Sequence, residues 1–469
     1  MKGDSDLKWK KPLGELLLLG VLILAFNIRK AGSLYPPPTE WTRTYGINGN
    51  HNEARSLVQT SDGGFAVLGF TRHYAAGWVY TEDFWLVKTD PAGNAEWNRT
   101  YGVPTYDDLE SGRSVVQTDD GGYALAGLTG VWRDPIYYDF WLVKTDSLGN
   151  MEWNQTYEGA GDDFAYSVVQ TTDGGYVVAG GTCSSVYGQS DVYLVKTDST
   201  GNMEWNQTYG GAGSDWANSV VQTGDGGYAL AGCTHSYGAG SRDVWLVKTD
   251  SDGDIVWNQT YGGTEMDWGY SVVPTSDGGY AIAGYTDSFD AGGHDFWLIK
   301  ADSAGNMMWN QTYGGTQKEE AYSMVQTSDG GYALAGWTNS SRTGSHDFWL
   351  VKTDSLGNME WNQTFGGTLS DLAYAVVQTV GGGYALAGYS NYYISPSLAV
   401  VDFLLVRTCS GGDVNGDGVV DIFDLSIVGR AYGSFEGEPE YNPDADLNKD
   451  GIVDIGDISI VCINYGVGG

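Results

Sequence analysis

Two stretches near the C-terminus carry oxygen side chains at a spacing that suits a hard divalent cation. Asp413, Asn415, Asp417, Asp421 and Asp424 fall at positions 1, 3, 5, 9 and 12 of one loop, with Gly418 at position 6. Asp446, Asn448, Asp450, Asp454 and Asp457 repeat the pattern, with Gly451 at position 6. Ca2+ takes oxygen ligands from a loop with one sharp turn, and this spacing supplies both. The backbone carbonyls of Val419 and Ile452, at position 7, complete each ligand set. Four carboxylates in one loop repel one another unless a cation lies between them. The loops begin 33 residues apart, and each runs into an apolar stretch. The expectation is a module that holds two Ca2+ ions.

Other polar residues recur at fixed places along the chain. One position reads Asn52, Glu110, Asp163, Asp215, Asp267, Glu319 and Asp371. These acids either attract a cation or polar ligand together, or each accepts backbone N–H groups at its own turn. A second position reads Lys88, Lys144, Lys196, Lys248, Lys300, Lys352 and Arg407, where pairing with a nearby turn aspartate is expected. Asn98, Asn154, Asn206, Asn258, Asn310 and Asn362 each open an Asn-x-Thr sequon. All six sit in the same strand-like segment, so a structural role competes with glycosylation. The five histidines show no HExxH spacing. A catalytic pair of acids should break a repeat, and no such pair stands out.

The elements that carry these residues come from an internal repeat. Trp41, Trp97, Trp153, Trp205, Trp257, Trp309 and Trp361 are spaced by 56 or 52 residues. Each unit offers four strand signals, shown by Ser167 to Thr171, Tyr176 to Gly180, Asp191 to Thr197 and Met203 to Tyr209. Thr-Asp-Gly-Gly and Gly-Asn turns join them, with residues that tolerate positive φ. Four-stranded units repeated at this length predict propeller blades. The last third strand, residues 402–408, has no following Trp strand, whereas Glu40 to Gly46 stands alone before the first unit. The expected fold is therefore all-β: a seven-bladed β-propeller closed by N-terminal strand exchange, plus a small calcium-binding domain. In that fold, Glu110, Asp163, Asp215, Asp267, Glu319 and Asp371 would ring the mouth of the central channel. The loop after strand two and the link between blades vary. They carry Tyr74, Trp78, Tyr80, Trp132, Tyr137, Tyr138, Tyr187, Tyr237, Phe289, Tyr392 and Tyr393. That face is the expected place for a glycan or protein ligand, the alternative being that the aromatics only cap the blades.

Composition narrows the partners. Lys and Arg total 24 and Asp and Glu 59, a net charge of −35. Such a chain lacks the basic footprint for nucleic acid. Lys2, Lys8, Lys10 and Lys11 precede an apolar run from Leu16 to Phe26. That run spans about 16 Å as a helix, short of the ~30 Å hydrocarbon core, and fits an export signal. The expected organisation is 1–33 signal peptide or N-terminal membrane anchor, 34–39 proline-rich spacer, 40–408 propeller and 409–469 calcium module. The expected location is secreted or at the cell surface. A bond between Cys183 and Cys233 is left open, and Cys409 and Cys462 read as small buried residues.

Two resemblances follow. The pattern SVVQT-DGGY-A-AG, then DFWLVKTD and a Gly-Asn turn, over about residues 40–408, resembles secreted prokaryotic repeat propellers of the SBBP type and their delta-repeat relatives. It implies the fold and brings no catalytic residues. Residues 411–466 resemble a type I dockerin, whose two Asp-terminated calcium loops each open a helix. The resemblance implies a small α-helical, calcium-folded module that docks to a cohesin domain on a scaffold or cell-surface protein. Family members commonly carry hydroxyl residues at loop positions 10 and 11 for recognition. This chain has Ile422-Phe423 and Ile455-Gly456 there. The expected function is a surface-attached binding protein. The alternatives are a glycoside hydrolase or polysaccharide lyase carried on a dockerin, and a purely structural matrix component.

Overall fold

The computed structural model describes residues 36–47, 50–74, 80–102, 108–131, 137–183, 189–289, 292–340, 345–395 and 398–409, together with 427, 434, 442, 445, 447, 452, 453 and 457. The N-terminal basic and apolar segment, Cys462 and most of both aspartate loops lie outside the described residues. There are 28 strands among the described residues, arranged as repeated antiparallel groups.

The third repeat illustrates how the sequence builds a group. Asp163–Gln170, Tyr176–Cys183, Ser190–Thr197 and Met203–Tyr209 pair antiparallel in chain order. Valine, tyrosine and threonine dominate these strands, side chains that pack well on a pleated surface. In the first turn, Thr171 N–H donates to the Gly175 carbonyl at 2.9 Å. Asp173 Oδ1 accepts the Gly175 N–H at 2.9 Å and locks that turn. In the second turn, Gly201 has φ 82°. A Cβ at Gly201 would lie 2.6 Å from the Trp153 ring of the preceding repeat. That glycine therefore serves both a left-handed turn and a close approach between repeats.

Burial follows strand position. The second and third strands are buried along nearly their whole length, whereas Met203–Tyr209 alternates with solvent. Adjacent repeats cover both faces of the middle strands. Val177, Leu194 and Tyr209 of the third repeat share a cluster with Val220, Leu230 and Trp245 of the fourth. Each fully buried leucine contributes about 1.5–3 kcal/mol, and the same cluster recurs at the other junctions.

One sheet has twelve strands and four others have four each. The first strands of the repeats are His51–Gln59, Asp108–Gln117, Asp163–Gln170, Asp215–Gln222, Asp267–Pro274, Glu319–Gln326 and Asp371–Gln378. Each touches the next, and Asp371–Gln378 also touches His51–Gln59. The opening strand Thr39–Tyr45 pairs with Leu398–Thr408 at the other end of the chain. It makes the contacts that a fourth strand makes elsewhere. Glu40 pairs with Arg407 at 3.0 Å, as Glu204 pairs with Lys196 at 2.8 Å. The Tyr45 hydroxyl donates to the Gly93 carbonyl at 2.7 Å, as Tyr157 donates to Gly201 at 2.8 Å. Trp41, Phe65 and Trp85 share one buried cluster with Phe403 and Leu405.

The chain divides into two compact units. One comprises Trp41–Gln378 with Ala385–Val406, and the other Met1–Glu40, Thr379–Tyr384 and Arg407–Gly469. Cys183, Cys233 and Cys409 are free thiols, so the bond left open between Cys183 and Cys233 is not formed.

Candidate functional site

The recurrent acids lie at the start of each first strand, where the link from the preceding repeat arrives. Glu110, Asp163, Asp215, Asp267, Glu319 and Asp371 are all at most 1% exposed. Each is held mainly by its own repeat. Asp215 Oδ2 accepts the Gly211 N–H at 2.9 Å, and Asp267 Oδ2 accepts the Gly263 N–H at 2.9 Å. Thr234 and Thr286, on the second strands, donate to Asp215 and Asp267. Thr338 donates to Glu319 at 2.9 Å, and Thr129 to Glu110 at 3.2 Å. Gly159 and Gly367 donate backbone N–H groups to Asp163 and Asp371.

A second carboxylate stands close to several of them. A Cβ built on Gly210 would lie 1.9 Å from Asp191 Oδ1 and 2.9 Å from Asp215 Oδ2. Gly262 is similarly enclosed by Asp243 and Asp267, and Gly366 by Asp347 and Asp371. Burial pushes the Asp163 carboxyl up to about 6, opposed by hydrogen bonds from Thr182 and Gly159 and reinforced by Asp139 and Asp162. Burial also raises Asp139, Asp191, Asp243 and Asp371. In the first repeat the fully buried Asn52 replaces the acid and donates Nδ2 to Asp402 Oδ1 at 2.9 Å.

The lysines on the third strands are equally buried. Lys196 is 4% exposed; its Nζ reaches Asp173 at 2.9 Å, Glu204 at 2.8 Å and the Thr197 carbonyl at 2.8 Å. The expected pairing with a turn aspartate holds also for Lys88, Lys144, Lys248, Lys300 and Lys352. The sequon asparagines accept from a tryptophan across the sheet: Trp245 Nε1 donates to Asn258 Oδ1 at 3.2 Å, and Trp297 to Asn310 at 3.0 Å.

Of the aromatics on the variable segments, Tyr74, Tyr137, Tyr237, Phe289 and Tyr392 are exposed. Tyr237 and Phe289 each lie 5.5 Å from a third-strand tryptophan of their own repeat, Trp245 and Trp297. These two pack on the repeats they belong to. Trp78, Trp132 and Tyr187 lie outside the described residues.

One position escaped the sequence reading. In the first strands the register shifts between Ala54 and Ser56, Gly112 and Ser114, and Ala165 and Ser167. The same shift recurs in the next three repeats. The extra residue of each bulge is half-buried: Arg55, Arg113, Tyr166, Asn218, Tyr270 and Tyr322; Tyr374 holds the equivalent sequence position in the seventh repeat. Bulges re-aim a side chain away from the ladder. Here the re-aimed residues meet their neighbours: Tyr270 lies 4.8 Å from Tyr322, Tyr322 4.8 Å from Tyr374, and the Arg55 guanidinium 4.0 Å from the Tyr374 ring. The available signal was variation. Three residues beyond each recurrent position, the repeats change from tyrosine to arginine or asparagine.

In the C-terminal loops, Ile452 and Asp457 are the expected ligand positions that fall among the described residues. Asp457, at position 12, is fully buried and accepts the Leu447 N–H at 2.6 Å. Val453 N–H donates to the Ser434 carbonyl at 3.1 Å. A buried carboxylate folded back on its own loop fits a site built for a cation. Asp413, Asn415, Asp417, Val419, Asp421, Asp424, Asp446, Asn448, Asp450 and Asp454 lie outside the described residues, as do Ile422, Phe423, Ile455 and Gly456. Among the described residues no helix is long and apolar enough to cross a membrane.

Comparison with known proteins adds the following. The chain is 28% identical over 134 residues to the regulatory protein FlaEY of Caulobacter vibrioides, covering 26% of this chain and 14% of that relative. The chain thus spans a small part of that protein's length. A solved protein of unknown function from Dyadobacter fermentans is 11% identical, with 79% of this chain and 98% of that one covered at TM-score 0.48. Another of unknown function, from Bacteroides caccae, is 13% identical, with 64% and 94% covered at TM-score 0.39. Residues 411–465, which contain both aspartate loops, match the dockerin type I domain.

Proposed function

We propose that this chain is an exported, surface- or scaffold-attached binding protein. Residues 40–408 form a seven-bladed β-propeller closed by the strand Thr39–Tyr45, of the SBBP or delta-repeat type. Residues 409–469 form a dockerin-like module that binds two Ca2+ and docks to a cohesin-type partner. The match of residues 411–465 to the dockerin type I domain carries this reading. The Glu40–Arg407 and Tyr45–Gly93 contacts support ring closure, because each reproduces a contact of the complete repeats. Residues 1–33 act as the export signal or anchor, and 34–39 as the spacer that leads into the ring.

The calcium ligands are Asp413, Asn415, Asp417, Val419, Asp421 and Asp424 in the first loop, and Asp446, Asn448, Asp450, Ile452, Asp454 and Asp457 in the second. Bound calcium supplies the charge that lets four carboxylates share each loop. Ile422, Phe423, Ile455 and Gly456 form the partner-facing surface, and their apolar character selects a cohesin face without the usual hydroxyl contacts. The buried, locally hydrogen-bonded acids of the propeller act as structural groups at each blade junction. The variable face of the propeller takes a glycan or protein.

The test is capture of the full chain on a panel of immobilised cohesins, with calcium and with chelator. Calcium-dependent capture, abolished by Asp413→Ala with Asp446→Ala, is expected. Capture that ignores chelator, or no capture by any cohesin, overturns the docking reading.

A further inference from the structure

Two neighbouring first strands place arginine at the bulge where the other repeats place tyrosine or asparagine. Arg55 and Arg113 extend from His51–Gln59 and Asp108–Gln117, which touch one another. Ser56 Oγ accepts the Val115 N–H at 3.1 Å and fixes their relative register. Two guanidinium groups thus stand side by side within a chain of net charge −35.

Their compensation is incomplete. Arg55 pairs with Glu53 and stacks on Tyr374. Glu53 is also held by His51 Nε2 at 2.6 Å. The nearby Glu82 is taken by Arg72. Arg113 makes no ion pair among the described residues, and its buried Nε has no hydrogen-bond partner; nor has the Nε of Arg55. Among Arg55, Arg113 and Glu53, two guanidinium groups face one carboxylate, which leaves one positive charge. Burial, and then the charge of Arg55, pull Arg113 below its ordinary value. An uncompensated, partly desolvated cation is costly, and a planar oxyanion is the group its forked donors match.

We infer that Arg113 and Arg55 form a binding site for an oxyanion-bearing sugar of the uronate class. The carboxylate meets the Arg113 fork and the free Nε of Arg55. The sugar ring lies against the flanking tyrosines, Tyr166 beside Arg113 and Tyr374 beside Arg55. The site deepens the proposed binding role of the propeller, and the ring reading enters only through Tyr374. The arginine pair needs nothing more than the contact between its two strands.

The test is calorimetric titration of the full chain with D-glucuronate, sulfate and glucose. Glucuronate should bind and glucose should not. Arg113→Gln should weaken glucuronate at least tenfold, the loss of charge-assisted hydrogen bonds to an ion. Glu53→Gln, which removes the competing carboxylate, should tighten it. Equal binding of sulfate would assign the site to the oxyanion alone, and a preference for glucuronate would add the tyrosines. Binding of neither anion by the folded wild-type chain overturns the inference, as does unchanged binding by a folded Arg113→Gln variant. Removal of the opening strand tests the ring separately, through stability, so the two readings fail independently.

Discussion

Lys196 is a buried cation whose two carboxylate partners remain in water. Asp173 is 60% exposed and Glu204 48% exposed on their side chains, against 5% for the lysine. Removing the lysine therefore strands two hydrated charges and one backbone carbonyl, that of Thr197. Lys196→Met should cost about 1–2 kcal/mol by denaturant unfolding, below the about 3–5 expected when the abandoned partner is itself buried. The aspartates titrate in two opposite ways. Against partial burial, hydrogen bonds from Thr171 and Lys196 hold Asp173 at about 2, and Asp62 and Asp120 are held likewise by their lysines. Their contribution is present above the unfolded value of about 3.9 and is lost as pH falls towards 2. Asp163, raised to about 6, behaves in reverse. Its contribution is present below the unfolded value and is lost as pH rises through about 6. Thermal unfolding should therefore show greatest stability near about pH 4, with a decline from there to about pH 6. Asp163→Asn, which copies Asn52, should flatten that decline. A profile unchanged by Asp163→Asn would show that this carboxyl is ionised in the fold.

At the scale of elements, the opening strand is the critical piece. Thr39–Tyr45 covers the edge of Leu398–Thr408, and its Trp41 enters the cluster formed by Phe65, Trp85 and Phe403. Loss of this strand bares a sheet edge and removes a buried tryptophan. A chain lacking residues 36–46 should unfold at lower denaturant by at least about 3 kcal/mol and should self-associate on size exclusion. A monomer of undiminished stability would show that the strand is dispensable. The seventh repeat also differs in its first turn. Its residues are Val380, Gly381 and Gly382, with no aspartate, and Arg407 replaces the lysine. The arginine turns to Glu40, so the loss of the turn acid and the borrowed strand belong together.

At the scale of the molecule, the repeats and the C-terminal module carry separate chemistry. The repeats spend their polar groups on one another: lysine on turn aspartate, junction acid on threonine and glycine, asparagine on tryptophan. The exceptions are Arg55 and Arg113, where the repeat breaks. The C-terminal loops carry the acid spacing that we propose for calcium, and residues 411–465 match the dockerin type I domain. The prediction at this scale is that chelation abolishes docking while leaving the unfolding of the repeats unchanged, followed by near-ultraviolet circular dichroism of their tryptophans.

Much of this was legible in the residues alone. Turn residues, strand alternation and the period of 52 or 56 are local properties, and they dictated four antiparallel strands per repeat. Ligand spacing in the two aspartate loops is local as well, since one short turn carries every donor. The spare strand at one end and the missing strand at the other already implied the pairing of Thr39–Tyr45 with Leu398–Thr408. Burial and neighbours were not legible. The recurrent acids look like a charged ring along the chain, yet packing sinks them and engages them with threonine hydroxyls and backbone N–H groups. The bulge that turns Arg55 and Arg113 out of the ladder is a register shift between strands. It depends on how one strand pairs with the next, and so only the tertiary structure decides that those two cations stand together.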